Sequence, residues 1–241
     1  MMKSNRFELS PQPYLRVAGI LYLAIILLGL FGEGFVRSTL IVPGDAGATF
    51  LSILPSQLLW RSGAAGDLLM QVLDVPVIVL LYLLLRPVSE TLALTMTLFN
   101  LVQTAVLAAN KLNLLVPTFL MADSSYLNAF STEQLQALSY LSIKSHSFGF
   151  AIGLIFFGFA CLLRGYLIHR SGFMPKVIGW LLALAGLSYL VNSFALILAP
   201  TIAAMMFPLI LVPAFLGELI FALWLVAKGV NLEEWQKRVA P

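Results

Sequence analysis

Charge is what this 241-residue chain has least of: Asp, Glu, Lys and Arg together make up 10% of it, against about 25% in a typical soluble domain. With 60% hydrophobic residues and a mean hydropathy of +0.96, that shortfall excludes an ordinary soluble fold. Cysteine is limited to one residue. A lone Cys161 rules out an intrachain disulfide framework and a cysteine metal cluster, and within an apolar run it reads as a small buried hydrophobe. Histidine is almost as scarce, with two. His146 falls at an outer span end and His169 in a cytoplasmic loop, so they cannot share a haem. No His-x-x-x-His or Glu-x-x-His pair is present for zinc or di-iron, so neither cofactor nor metal is expected. The chain also lacks a Gly-x-Ser-x-Gly nucleophile elbow and a glycine loop that could cradle phosphate. The net charge is +3, but no basic patch interleaves with aromatics, which excludes nucleic acid as a partner. Strand alternation, internal repeats and low-complexity tracts are absent.

What the chain does have is long apolar runs. About 20 such residues span the hydrocarbon core of a bilayer as a helix. Six runs qualify, at about 17–35, 61–85, 91–115, 143–163, 177–198 and 205–226. The expected fold is all-α: a polytopic membrane helical bundle of about six transmembrane helices, forming one integral membrane domain over 1–241 with short interfacial helices. Pro43-Gly44 marks a turn, Asp45 an N-cap for a short helix over Ala46 to Leu54, Pro55 a break, and Ser56 a cap for the second span. Ser131-x-x-Gln134 matches a capping box, and Leu135, Leu138 and Leu141 continue it as an amphipathic lead-in expected on the outer surface. Gly149-x-x-x-Gly153 has the spacing that lets helix backbones approach closely. Arg164 to Lys176 reads as a short basic loop, and Lys228 to Pro241 as an interfacial tail helix. Met1 to Pro13 reads as an uncleaved start, since no small-residue cleavage site follows the first apolar run.

Charged and amide side chains inside such runs need partners, because an ionisable group near the bilayer centre costs at least a few kcal/mol. Asp67, Gln71 and Asp74 share a narrow arc of the second span at helical spacing, with Pro76 just beyond. Asn100, Gln103, Asn110 and Lys111 form a second polar stripe on the third. Glu33 and Arg37 lie four residues apart, one helical turn, and are expected to pair. Arg61 or Lys111 is the expected cation for Asp67. These residues, with His146, make up the candidate polar interior; Pro213 with Glu218 repeats the proline and acid pairing of Pro76 and Asp74. Placing the N-terminus inside puts ten Lys and Arg in cytoplasmic segments against four outside, so both termini are expected to be cytoplasmic in a cell membrane.

The run GLFGEGFVRSTLIVPGDAGAT from Gly29 to Thr49, followed by Asp67-Leu-Leu-Met70, Leu81-Tyr-Leu-Leu-Leu-Arg-Pro-Val88 and Leu101-Val-Gln103, resembles the bacterial membrane proteins grouped as domain of unknown function 4386. The resemblance covers nearly the whole chain and is most specific in its first half. It implies a multi-pass membrane protein and no particular chemistry.

Three functions remain open at this point. The first is a non-enzymatic membrane component that senses, scaffolds or assists a partner, with a polar, outward-facing interior between the first four spans. The second is a protein that binds or moves a small solute or lipid; the third is an intramembrane lipid-modifying enzyme with His146 and Asp67 as acid and base. The bilayer is the expected partner in all three, and a second copy or another membrane protein is an open one.

Overall fold

The computed structural model describes residues 10–239, so Lys3 and Arg6 of the charge count lie outside the described residues. The fold is all-α, with no strand among the described residues, and six helical stretches are long and apolar enough to cross a membrane. The first of these is helix α1 (Gln12–Gly29), which passes without a break into a π-helix, Leu30–Arg37, and three further α-helical residues, Ser38–Leu40. Within the wide turn the Ser38 amide reaches back five residues to the Glu33 carbonyl. Such π turns are rare and concentrate at functional sites.

Helix α2 (Ala46–Ile53) is capped by Asp45, whose carboxylate accepts from the Ala48 amide at 2.8 Å. Pro55 and Ser56 behave differently from their sequence signals. Both fall in a 3₁₀ turn, Leu54–Ser56, that leads directly into α3 (Gln57–Leu85), so Ala46–Leu85 is one helical stretch of 40 residues. Pro55 stands at the start of the 3₁₀ turn, where its fixed φ is compatible with the helical backbone on either side. Pro76 lies inside α3.

The third stretch is divided into α4 (Glu90–Asn110) and α5 (Leu112–Leu120) by a single turn at Lys111. Pro117 has no N–H to offer the Asn113 carbonyl four residues back. That carbonyl instead accepts from the Ser142 hydroxyl at 2.6 Å, the kind of side-chain repair that makes proline tolerable in apolar surroundings.

Helix α6 (Thr132–Ser171) has 40 residues, about 60 Å at the α-helical rise. Its start carries the capping box: the Ser131 amide donates to Gln134 Oε1 at 2.8 Å and the Gln134 amide to Ser131 Oγ at 3.3 Å. The residues expected as a separate surface lead-in are the first turns of this helix, since no glycine or proline interrupts Thr132 to Phe148. Its end differs too. The helix runs past Arg164 and stops at Gly172, whose φ of +80° is the left-handed conformation glycine supplies at a C-terminus. Charge alone did not end it.

Helices α7 (Lys176–Leu198), α8 (Pro200–Met206), α9 (Val212–Ala227) and α10 (Leu232–Val239) complete the chain, with a 3₁₀ turn, Leu209–Leu211, ahead of α9. The chain divides into two compact units. One comprises Met1–Ala24, Leu73–Thr104 and Ala151–Pro241; the other comprises Ile25–Val72 and Ala105–Phe150. In the first, α6 and α7 approach so closely that a Cβ on Gly186 would meet the Gly158 carbonyl oxygen at 2.6 Å, and α1 and α9 so closely that one on Gly19 would meet the Ala222 carbonyl oxygen at 2.9 Å. The second is centred on Val36, Leu40, Ile53, Trp60, Ala64, Leu114 and Ile143, with the Trp60 indole donating to the Leu114 carbonyl at 2.6 Å.

Candidate functional site

Each unit buries a polar cluster, and the candidate residues divide between them. In the unit built from Ile25–Val72 and Ala105–Phe150, the centre is Asp67 of α3, 1% exposed. Arg37, the last residue of the π-helix, donates to Asp67 Oδ2 at 2.7 Å and Oδ1 at 3.4 Å. Its Nε meets Glu33 Oε2 at 2.6 Å, so one guanidinium spans two acids, one buried and one with a 68% exposed side chain. Lys111, also 1% exposed, brings a second cation to Asp67 Oδ2 at 3.0 Å.

Both cations arrive from irregular backbone. Arg37 comes from the π-helix, and Lys111 from the turn between α4 and α5. Glycine makes room: a Cβ on Gly32 would fall on the Asp67 carboxylate. The Lys111 ammonium has two more neighbours, His146 Nε2 at 3.3 Å and the ring of Phe150 at 5.6 Å. Because an ammonium can only donate, His146 Nε2 accepts and the ring hydrogen sits on Nδ1. Asn110 anchors the same turn through its amide, which donates to the His146 carbonyl at 2.9 Å. A Cβ on Gly149 would fall on that amide group, which is what this glycine of the Gly149-x-x-x-Gly153 pair provides here. Gln71 is buried with its Nε2 3.5 Å from the Asp67 carbonyl and its Oε1 without a hydrogen-bond partner among the described residues. Arg61 is exposed and reaches Gln57 at 3.5 Å rather than Asp67. The cations at Asp67 are therefore Lys111 and Arg37; sequence reasoning paired Arg37 with Glu33 alone.

The remaining candidates, Asp74, Asn100 and Gln103, belong to the other unit. Asp74 accepts from Thr104 Oγ1 at 2.5 Å and from Asn100 Nδ2 at 3.1 Å, and Asn100 Nδ2 also donates to Gln103 Oε1 at 2.9 Å. Asn100 Oδ1 accepts from Arg164 Nη2 at 2.6 Å, and Arg164 Nη1 donates to the Tyr22 hydroxyl at 3.1 Å. In the same unit the Tyr189 hydroxyl donates to Glu218 Oε1 at 2.5 Å. Each of the six long helical stretches contributes to this unit's polar groups: Tyr22, Asp74, Asn100 with Thr104, Arg164, Tyr189 and Glu218.

Arg164, Tyr22, Thr104 and Tyr189 were not among the candidates. Arg164 was expected in a loop, yet it is 1% exposed inside α6, about two turns before its end at Ser171. The signal that could have found it is the apolar continuation Tyr166-Leu-Ile168, which carries the helix on beyond the charge. Tyrosine and threonine give no such signal, since both are common on apolar helix faces. No group of three or more His, Cys, Asp or Glu able to hold a metal exists among the described residues.

No solved structure matches this chain. An uncharacterized protein of Archaeoglobus fulgidus is 32% identical over 171 residues, covering 70% of this chain and 85% of that protein. The family described as Domain of unknown function (DUF4386) matches residues 17–229, which include every charged residue of both clusters. The chain belongs to that family.

Proposed function

We propose that this is an integral membrane protein, its six long apolar stretches the spans and both termini cytoplasmic, and that it acts as a non-enzymatic component that senses or assists a partner. The observation that carries the reading is the way Asp67 is held. Both of its carboxylate oxygens are committed to Arg37, and one also to Lys111. A general base or nucleophile must offer a lone pair to a reactant. Here Asp67 offers its lone pairs to Arg37 and Lys111, and His146 offers its own to Lys111. An arrangement of two cations on one acid, seated on a π-helix and a helix break, is a lock between helices. Glu33 gives it a handle: its exposed carboxylate competes for the same guanidinium, so a partner that engages Glu33 biases Arg37 toward or away from Asp67.

The small-solute reading has one observation in its favour, the buried and unpartnered Oε1 of Gln71, which could accept from a hydroxyl or amine. It remains the second reading.

Two measurements test the proposal. Resistance to alkaline carbonate extraction is expected of the membrane placement, and release into the soluble fraction would refute it. For the lock, hydrogen exchange across Leu30–Arg37 should speed up several-fold in Asp67→Asn. Unchanged exchange would mean that Asp67 holds nothing shut. A bound lipid or solute retained in native mass spectrometry, and lost in Gln71→Leu, would move the assignment to the second reading.

A further inference from the structure

Arg164 is buried without an ion pair among the described residues. Its guanidinium is packed among the rings of Tyr22, Phe157 and Phe221, at 6.0, 5.7 and 6.0 Å. It meets two carboxylates, Asp74 and Glu218, through one neutral residue each. On one side Asn100 accepts from Arg164 and donates to Asp74. On the other, Tyr22 accepts from Arg164 and interacts in turn with Glu218. The groups that face Asp74 with charge or a titratable proton are Arg164, Glu218, Tyr22 and Cys161.

Counting charge, the network holds one fixed cation and two acids. With both acids ionised it carries −1, and an uncompensated charge in apolar surroundings is costly enough that the group neutralises instead. One more positive charge is needed. The arginine cannot supply it, and its own charge cannot be withdrawn.

We propose that this network is a proton-binding site that holds one proton, resting on Asp74, with Glu218 left ionised as the counter-charge of Arg164. The hydrogen-bond inventory picks out the acid. The Thr104 hydroxyl has one hydrogen and two acceptors in reach, Asp74 Oδ2 at 2.5 Å and the Asn100 carbonyl at 3.0 Å. When Asp74 is ionised, that hydrogen points to the carboxylate. When Asp74 is protonated, the acid donates to the Thr104 oxygen and the hydroxyl turns its hydrogen to the Asn100 carbonyl. Asp74 Oδ2 and the Thr104 hydroxyl each keep a hydrogen-bond partner in both states, so the proton comes and goes without repacking. Glu218 has no such device. Its donors are two phenols, Tyr189 and Tyr22, and protonating it would strand a phenolic hydrogen.

The proposal rests on the membrane reading, because Asp74 and Glu218 are only partly buried by protein and owe the rest of their desolvation to lipid. Infrared spectroscopy of the full chain in lipid nanodiscs reads the proton directly. The spectrum at neutral pH, where exposed acids are ionised, should contain the carbonyl stretch of a protonated carboxylic acid, lost in strong alkali, shifted by deuteration and by ¹³C-aspartate labelling but not by ¹³C-glutamate. The isotope arm needs no variant to fold. Asp74→Asn should abolish the band and Glu218→Gln should retain it. Absence of the band at every pH, or a band that follows the glutamate label, overturns the proposal. So does a band titrated away by sodium at constant pH, which would make the ligand an alkali cation. Failure of carbonate resistance would sink the membrane placement by a separate readout.

Discussion

Replacing Asp67 by Asn removes one charge and almost no volume, so its cost reports on electrostatics rather than on a cavity. At 3.0 Å the Lys111–Asp67 pair has a Coulomb attraction of about 5 kcal/mol at an effective dielectric of about 20. Desolvating both ions offsets much of it, which is why the net worth of such a pair is small although breaking it one-sidedly is expensive. In the variant Arg37 still has Glu33 at 2.6 Å, whereas Lys111 pairs with no other carboxylate among the described residues. Its remaining neighbours are the neutral His146 nitrogen and the Phe150 ring. The expected loss for Asp67→Asn is therefore about 3–5 kcal/mol, the cost of stranding a buried cation. Adding Lys111→Met removes the stranded charge and should recover at least about 1 kcal/mol, so the two substitutions must be non-additive. Reversible unfolding in mixed micelles measures all four corners of the cycle. A loss for Asp67→Asn below about 1 kcal/mol, the range of exposed ion pairs, or strict additivity with Lys111→Met, would refute the argument that this carboxylate is a buried keystone.

Ser142→Ala should cost about 1–3 kcal/mol in the same assay, because it leaves the Asn113 carbonyl that Pro117 cannot serve without its donor; Ser142→Thr, which keeps the hydroxyl, should cost much less, and equal losses would count against the repair. Gly149→Ala places a methyl on the Asn110 amide and should destabilise by about 1–3 kcal/mol, with faster hydrogen exchange at the turn around Lys111. Normal stability and exchange in that variant would mean that the Asn110 to His146 contact is dispensable.

The signals that could be read before the structure are those carried by neighbours in sequence. Asp45 as a cap, Ser131 with Gln134 as a capping box, and Glu33 four residues before Arg37 all involve groups brought together by one helical turn, and each is bonded as that spacing requires. What could not be read is which helix faces which. Arg37 meets Asp67 across 30 residues, and Asn100 meets Arg164 across 64. The apolar run after Arg164 marks it as helical, but nothing local names the partner that either arginine meets. The π-helix is equally silent, since its 8 residues, LFGEGFVR, would suit an α-helix. It forms where Gly32 lets a carboxylate from another helix press against the backbone.

Arg164 also bears on the orientation proposed above. The ten-to-four division of Lys and Arg treats every basic residue as one that the loops expose. Arg164 on the first side, and Arg37 and Lys111 on the second, are buried in the clusters. A residue bound to a partner inside the bundle does not report on which side of a membrane its loop lies. Removing all three leaves nine against two, Arg61 and Lys144 being the pair that remains. The bias sharpens, because more of the minority than of the majority is engaged inside. Of the nine, Lys3 and Arg6 lie outside the described residues, and the other seven still exceed the two. Cysteine accessibility decides it cleanly, since the native Cys161 is buried and should stay silent. A cysteine at Asn128, exposed before α6, should react with a membrane-impermeant maleimide added outside the cell, and one at Lys176, exposed at the start of α7, should react only after permeabilisation. The reverse pattern would invert the topology, and labelling of both from one side would mean that α6 does not cross.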